Sequence, residues 1–154
     1  MLTKNHFDVK INMVIDMQIE ILDKDNETLS ALISECFKHE VENIDIQDAL
    51  SNNVRFLCAL INDNVIGCIM ITTKYNPVKR NKEFYLDYVC VKESEREKGV
   101  AKMLLDKAEE MAKEEGIAKI TFTSSSTRIA ARNLYISSGY IIRDTDVFYK
   151  DMVI

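Results

Sequence analysis

Between a short apolar run and an amphipathic stretch the chain reads Val89-Cys90-Val91-Lys92-Glu93-Ser94-Glu95-Arg96-Glu97-Lys98-Gly99-Val100-Ala101. That order predicts a strand that turns, through a charged loop, straight into a helix. It constrains the fold more than any other feature, because it requires a helix start seated beside a strand end. A helix start exposes unpaired N–H groups and the positive end of the macrodipole. Gly99 keeps a Cβ from standing between that backbone and an anion. Arg96-x-x-Gly99-x-Ala101 is therefore a candidate pyrophosphate cradle. The GxxxxGK[ST] and GxGxxG patterns are both absent, which excludes a P-loop and a dinucleotide fingerprint.

The rest of the chain supplies a body for this junction. Met13 to Leu22 alternates loosely and predicts a first strand, preceded by an N-terminal extension over residues 1–13. Asp25 or Asn26 can cap a helix whose apolar stripe is Leu29, Leu32, Ile33, Cys36 and Phe37. Ile46, Ala49 and Leu50 suggest one short helix before Asn53. Val54–Ile61 and Val65–Thr73, joined by Asn62-Asp63-Asn64, carry a hairpin signal. Gly67, inside the second run, marks a bulge or close packing. Tyr75 to Lys82, with the only proline at Pro77, reads as a loop, and Phe84–Val91 as the fourth strand.

Val100 to Glu115 then places Val100, Ala101, Leu104, Leu105, Ala108, Met111 and Ala112 on one helical face, with Gly116 as terminator. A strand over Ala118–Thr123 leads through Ser124-Ser125-Ser126 into a helix, Thr127–Ser137, closed by Gly139. Tyr140 onward reads as a terminal strand pair or one long strand. The resulting order, β-α-(α)-β-β-β-α-β-α-β, predicts an α/β (α+β mixed sheet) fold with helices on both faces. At 154 residues with no linker, the expectation is one domain over residues 1–154.

A second motif follows the first. Ala131-Arg132-Asn133-Leu134-Tyr135-Ile136-Ser137-Ser138-Gly139-Tyr140 fits A-x-x-L-Y-x-x-x-G-[FY]. One helix, one strand and a second helix separate the two. Together, and with the same element order, they resemble the GCN5-related N-acetyltransferase (GNAT) family, over Asn26 to Tyr140. The resemblance implies an enzyme that transfers an acetyl group from acetyl-CoA to a primary amine of a small molecule or protein. Its alternative on the same fold is a non-catalytic acetyl-CoA-binding sensor or interaction module, which would bind the cofactor yet be indifferent to Tyr135→Phe.

Such chemistry needs a held thioester, a deprotonated amine, a stabilised oxyanion and a protonated leaving thiolate. By resemblance, the backbone of Cys90 and Val91 would hold the pantetheine arm, and the N–H groups from Arg96 through Glu97, Lys98, Gly99 and Val100 to Ala101 the pyrophosphate. Tyr135 is the implied general acid, its phenol lying near ~10 and so able to protonate a departing thiolate. Asp87 is the candidate general base; on plain strand alternation it shares a face with Val89 and Val91. It reads equally as a solvent-facing aspartate, and water chains are the alternative base. Where the family often carries Asn, this chain has Arg128, which could reach a cofactor phosphate, with Ser125 or Ser126 replacing the amide.

Composition narrows the partners. A net charge of −5 disfavours nucleic acid and, with it, a toxin acting on charged transfer RNA. Glu40, Glu42, Asp45 and Asp48 could greet a cationic amine but read better as a solvated helix face. Cys36, Cys58, Cys68 and Cys90 form no CxxC pair and read as buried free thiols of a reducing compartment. With two histidines a metal site is not expected. No segment suits a membrane span or a signal peptide, so the expectation is cytoplasmic. The apolar end, Asp151-Met152-Val153-Ile154, could pair in a homodimer or join the core.

Overall fold

The computed structural model describes residues 17–153. The expected N-terminal extension and the first part of the predicted strand, residues 13–16, lie outside the described residues. The described chain divides into two compact units, one ending at Thr123 and the other beginning at Ser124.

The first unit is a five-stranded mixed sheet in the order β1-β2-β3-β4-β5. Its strands are β1 (Met17–Ile21), β2 (Val54–Ile61), β3 (Asn64–Asn76), β4 (Asn81–Val91) and β5 (Lys119–Phe122). The first four pair antiparallel, and β4 pairs β5 in parallel. Helices α1 (Glu27–Phe37) and α2 (Ile46–Ser51) precede β2, while α3 (Val100–Glu114) makes the β4–β5 crossover that a parallel pair requires. The sheet with its helices gives the α/β class expected from the sequence.

Short-range chemistry explains most boundaries. Asn26 caps α1, its side chain accepting from the Thr28 N–H at 3.0 Å. Asp25 serves α2 instead, accepting from the Ile46 N–H at 2.9 Å. Asn62 and Asp63 both have positive φ (49° and 62°), which gives the two-residue β2–β3 turn the twist its strands need. Gly116, at φ 67°, ends α3 in a Schellman arrangement, with the Ile117 N–H donating to Ala112 O at 2.8 Å.

The loop expected over Tyr75 to Lys82 is shorter than its composition suggests. Tyr75 pairs with Lys82 and Asn76 with Asn81, so only Pro77–Arg80 turns. The Asn76 carboxamide oxygen accepts from the Val78 and Lys79 N–H groups, closing the turn tightly enough for the ladder to continue.

Two cores lie on opposite faces of the sheet. On one, Leu29, Leu32 and Ile33 of α1 pack with Phe56, Cys58, Cys68 and Cys90. On the other, α3 lies over Gly67, whose missing side chain admits Val100 and Leu104. A Cβ built on Gly67 would stand 3.0 Å from Val100 Cγ1 and 3.2 Å from Leu104 Cδ1. Close packing is thus what the glycine serves, and a register shift, with Ile66 as the extra residue, lies beside it. Cys58, Cys68 and Cys90 are buried and Cys36 is half-buried; all four are free thiols.

Arg55 of β2 clamps the end of α3. Its guanidinium donates to both Glu115 carboxylate oxygens, at 2.6 and 2.9 Å, and lies 5.2 Å from the Phe84 ring centroid. These hydrogen bonds hold the Glu115 carboxyl below its ordinary value. A carboxylate depressed by folding stabilises above its unfolded pKa and loses that contribution as pH falls through the folded one. Glu115 is more than a third exposed, so Glu115→Gln should cost about 0.5–1 kcal/mol at neutral pH after solvent screening. Urea denaturation of both proteins should show that difference vanishing at acid pH; a constant difference would place the effect elsewhere.

The second unit contains α4 (Ile129–Ser137) and the segment after it. The helix begins two residues later than Thr127. Ser125 is engaged locally, its hydroxyl 2.8 Å from that of Thr127 and its carbonyl accepting from the Arg128 N–H, so a turn precedes the helix. The terminal strand or strand pair expected from Tyr140 is not formed among the described residues, which carry neither helix nor strand from Tyr140 to Val153.

Candidate active site

At the sequence junction singled out above, β4 ends at Val91, a 3-10 turn occupies Glu93–Glu95 and α3 begins at Val100. The β4–β5 ladder stops at Leu86 and Phe122, while β4 runs on to Val91. The sheet therefore has no β5 beside the last turn of β4.

Arg96 anchors this corner. Its Nε donates to Val91 O at 3.0 Å, and a terminal nitrogen lies 3.9 Å from Cys36 Sγ. Cys36 Sγ in turn approaches the same Val91 carbonyl at 3.6 Å. The arginine thus ties the loop back to the strand. Its backbone N–H donates to Glu93 O at 3.3 Å, so the open backbone donors of the cradle begin after it.

Glu97 and Gly99 both adopt positive φ, 63° and 81°. Gly99 is the N-cap of α3, has no side-chain cap, and no acidic residue follows in the first turn. A Cβ built on Gly99 meets nothing within 4 Å. Glu97, Lys98 and Gly99 are exposed, Val100 is buried beneath the helix start, and Ala101 is half-buried. Lys98 pairs with Glu95 at 3.0 Å, so the positive features at this corner are the Arg96 guanidinium and the dipole and N–H groups of α3. The arrangement suits a phosphate.

The position of Asp87 departs from plain alternation. Across β3 and β4, Cys68 opposes Cys90 and Met70 opposes Asp87, so three steps on β4 match two on β3. Tyr88, at φ 47°, sits in this bulge. Opposed residues share a face. Asp87 therefore lies with Met70 and Cys90 on the α1 face, whereas Val91, opposite Gly67, lies on the α3 face. Asp87 and Val91 do not share a face, because the bulge reverses the alternation between them.

Two residues near Asp87 that no sequence pattern marked, Tyr88 in the bulge and Lys74 in the regular ladder beyond it, also make ring contacts. Tyr88 meets Phe37 of α1 edge-on, with ring centroids 5.1 Å apart. Lys74 Nζ stands 4.2 Å from the Tyr85 ring centroid. Burial raises the Asp87 pKa above its ordinary value, and the Lys74 charge partly counters it. Glu40, Glu42, Asp45 and Asp48 are exposed; Asp45 caps α2 by accepting from the Asp48 N–H. An open cavity of about 640 Å³ lies beside the β2–β3 turn, lined by residues such as Asp25, Asn43 and Asp63, none of them a candidate site residue.

In the second unit, Tyr135 is buried on α4. Gly139, at φ 92°, ends the helix, and the Tyr140 N–H donates to Tyr135 O at 3.0 Å. The two rings then pack edge-on at 6.5 Å, the apolar contact of a Schellman stop. The second motif is thus a helix terminator that also orients a tyrosine. Burial raises the Tyr135 phenol above its ordinary value, and the Arg128 charge partly lowers it. Arg128 is the exposed N-cap residue of α4 and makes no side-chain cap.

The profile of the Acetyltransferase (GNAT) family matches residues 19–140, and the chain belongs to that family. Among solved structures, an aminoglycoside acetyltransferase from an uncultured soil metagenomic sample, in complex with trehalose, is similar with a TM-score of 0.75. It is 16% identical, over 90% of this chain and 97% of that one. Ribosomal-protein-alanine N-acetyltransferase from Brucella melitensis biovar Abortus 2308 gives 0.72, at 19% identity, over 88% and 99%. A predicted acetyltransferase with acetyl-CoA from Clostridium acetobutylicum gives 0.67, at 23% identity, over 87% and 96%. No curated protein matches the chain. The protein is an acetyltransferase by family and fold.

Proposed function

We propose that the protein transfers an acetyl group from acetyl-CoA to the primary amine of a small molecule or protein. The observation that carries this reading is the start of α3: uncapped, free of acidic residues in its first turn, and opened by a glycine. Those features fit a pyrophosphate, and the family's use of acetyl-CoA supports the rest. Glu97, Lys98, Gly99, Val100 and Ala101 would hold the pyrophosphate through their backbone. The backbone of Cys90 and Val91 would hold the pantetheine arm, and Arg96 would brace the corner through Val91 O. Arg128 replaces the usual amide as a cationic partner for the cofactor.

Bound acetyl-CoA supplies the thioester-activated acetyl group. Asp87 takes a proton from the acceptor ammonium, directly or through a water, so that the amine lone pair is free to form the new C–N bond. Tyr135 would give its phenol proton to the sulfur as the C–S bond breaks, and the nitrogen would give up its second proton, through water, to the resulting phenolate, leaving the amide, the free thiol and a neutral Tyr135. The same reading takes residues 1–154 as one catalytic domain working in the reducing cytoplasm, for which the four free thiols are the support. Calorimetric titration with acetyl-CoA, followed by a thiol-release assay over a panel of amines, tests it. Absence of binding at millimolar acetyl-CoA would end the proposal.

The base assignment carries its own test. A carboxylate base works only when ionised, so activity should fall as pH drops through the Asp87 pKa, which burial places above the ordinary ~3.9. Lys74→Met removes the charge that counters this shift and should move the acid limb of kcat/KM to higher pH. An unmoved limb in Lys74→Met would assign that limb to the acceptor amine or a water chain.

A further inference from the structure

Asp87 shares its face of the sheet with apolar side chains that stay open to solvent. Met70 lies opposite it, and Met70 and Phe37 both pack against the α1-side core while remaining half-buried. Tyr88 turns its ring to the same side, edge-on to Phe37, and is 37% exposed. Its positive φ is a costly conformation for a tyrosine, and the Cys68 thiol, donating to Tyr88 O at 3.4 Å, helps to hold it. Beyond Asp87 on the same face stands a cation. Lys74 Nζ lies against the Tyr85 ring, two residues before Asp87, close enough for its charge to act on that carboxyl. Glu83, the next carboxylate along this face of β4, is engaged by Lys119 at 3.4 Å.

We infer that the acceptor is a monoamine, its ammonium at Asp87 and its apolar or aromatic substituent on Tyr88, Phe37 and Met70. The inference rests on the amine acetylation proposed above and names its substrate class. Covering a thioether and two rings with an aryl or alkyl group stabilises the complex, and an ammonium is favoured beside ring faces. A second ammonium on the acceptor meets the Lys74 cation, and Glu83 is already paired. The face therefore selects against polyamines as well as for apolar monoamines.

A CoA-release assay with four probes tests this: 2-phenylethylamine, ethanolamine, butylamine and 1,4-diaminobutane. The kcat/KM for 2-phenylethylamine should exceed that for ethanolamine about 30-fold. Tyr88→Ala should cut that ratio about tenfold, and a ratio is insensitive to any loss of folded enzyme. Butylamine should be preferred to 1,4-diaminobutane about fivefold, and Lys74→Met, a change at an exposed side chain, should bring the two within about twofold. Equal use of ethanolamine and 2-phenylethylamine, a ratio indifferent to Tyr88→Ala, or a preference for the diamine overturns the inference while leaving acetyl transfer intact. CoA release with none of the four overturns the transfer reading and the inference with it.

Discussion

Tyr135→Phe is expected to lower kcat about 100-fold while leaving acetyl-CoA affinity close to that of the original protein. The variant keeps the ring that packs edge-on against Tyr140 and loses only the hydroxyl, so the helix stop at Gly139 is undisturbed. A positioned general acid contributes 10²–10⁴-fold, and the lower end suits a thiolate, which is already a fair leaving group. The pH profile adds a second signature. A phenol acts as an acid only while protonated, so activity is lost as pH rises through its pKa. Burial raises that pKa above the ordinary ~10, which delays the loss. Arg128 stabilises the phenolate, so Arg128→Ala should move the alkaline limb further up. Steady-state kinetics across pH with calorimetric binding checks both statements. Retention of full kcat in Tyr135→Phe would favour water as the proton donor.

Gly67→Val is expected to destabilise the fold by about 2 kcal/mol and to weaken acetyl-CoA binding. Its Cβ alone would stand 3.0 Å from Val100 Cγ1, 3.2 Å from Leu104 Cδ1 and 3.4 Å from Cys90 O. Valine adds two further methyl groups to a position already crowded at its Cβ. Overpacking of this kind costs about 1–3 kcal/mol, and the ~2 kcal/mol expected here lowers Tm by roughly 4–8 °C for a chain of this size. Binding follows because Val100 is the first residue of α3, and a helix pushed off the sheet carries its N–H groups with it. Gly99→Ala makes the useful contrast. Nothing surrounds its Cβ, and only the positive φ opposes it, at about 1 kcal/mol. Thermal melts of both variants with a CoA titration separate packing from backbone strain. An unchanged Tm in Gly67→Val would show that α3 can lift away freely.

Much of this architecture was legible because its causes are local. Asn26 as a cap, Asn62-Asp63 as a turn, and Gly116 and Gly139 as helix stops all act through neighbours a few residues away. The junction from Val91 to Val100 was legible for the same reason, since a strand end, a turn and a glycine-capped helix are contiguous. What misled was composition taken for conformation. The Pro77 loop reads as eight irregular residues, yet the Asn76 side chain closes it in four, and the ladder claims the rest.

The sequence by itself determined the family and the element order through α4, and it located the strand–turn–helix junction from Val91 to Val100, because each of these is written in contiguous motifs. Only the tertiary structure decided which way Asp87 points. That depends on three residues of β4 matching two of β3, a non-local count that no single strand carries. Likewise, only packing could reveal that Gly67 makes room for α3, that Arg96 reaches back to Val91, and that Lys74 biases the candidate base. These are contacts between segments distant along the chain, and the folded backbone is what brings them together.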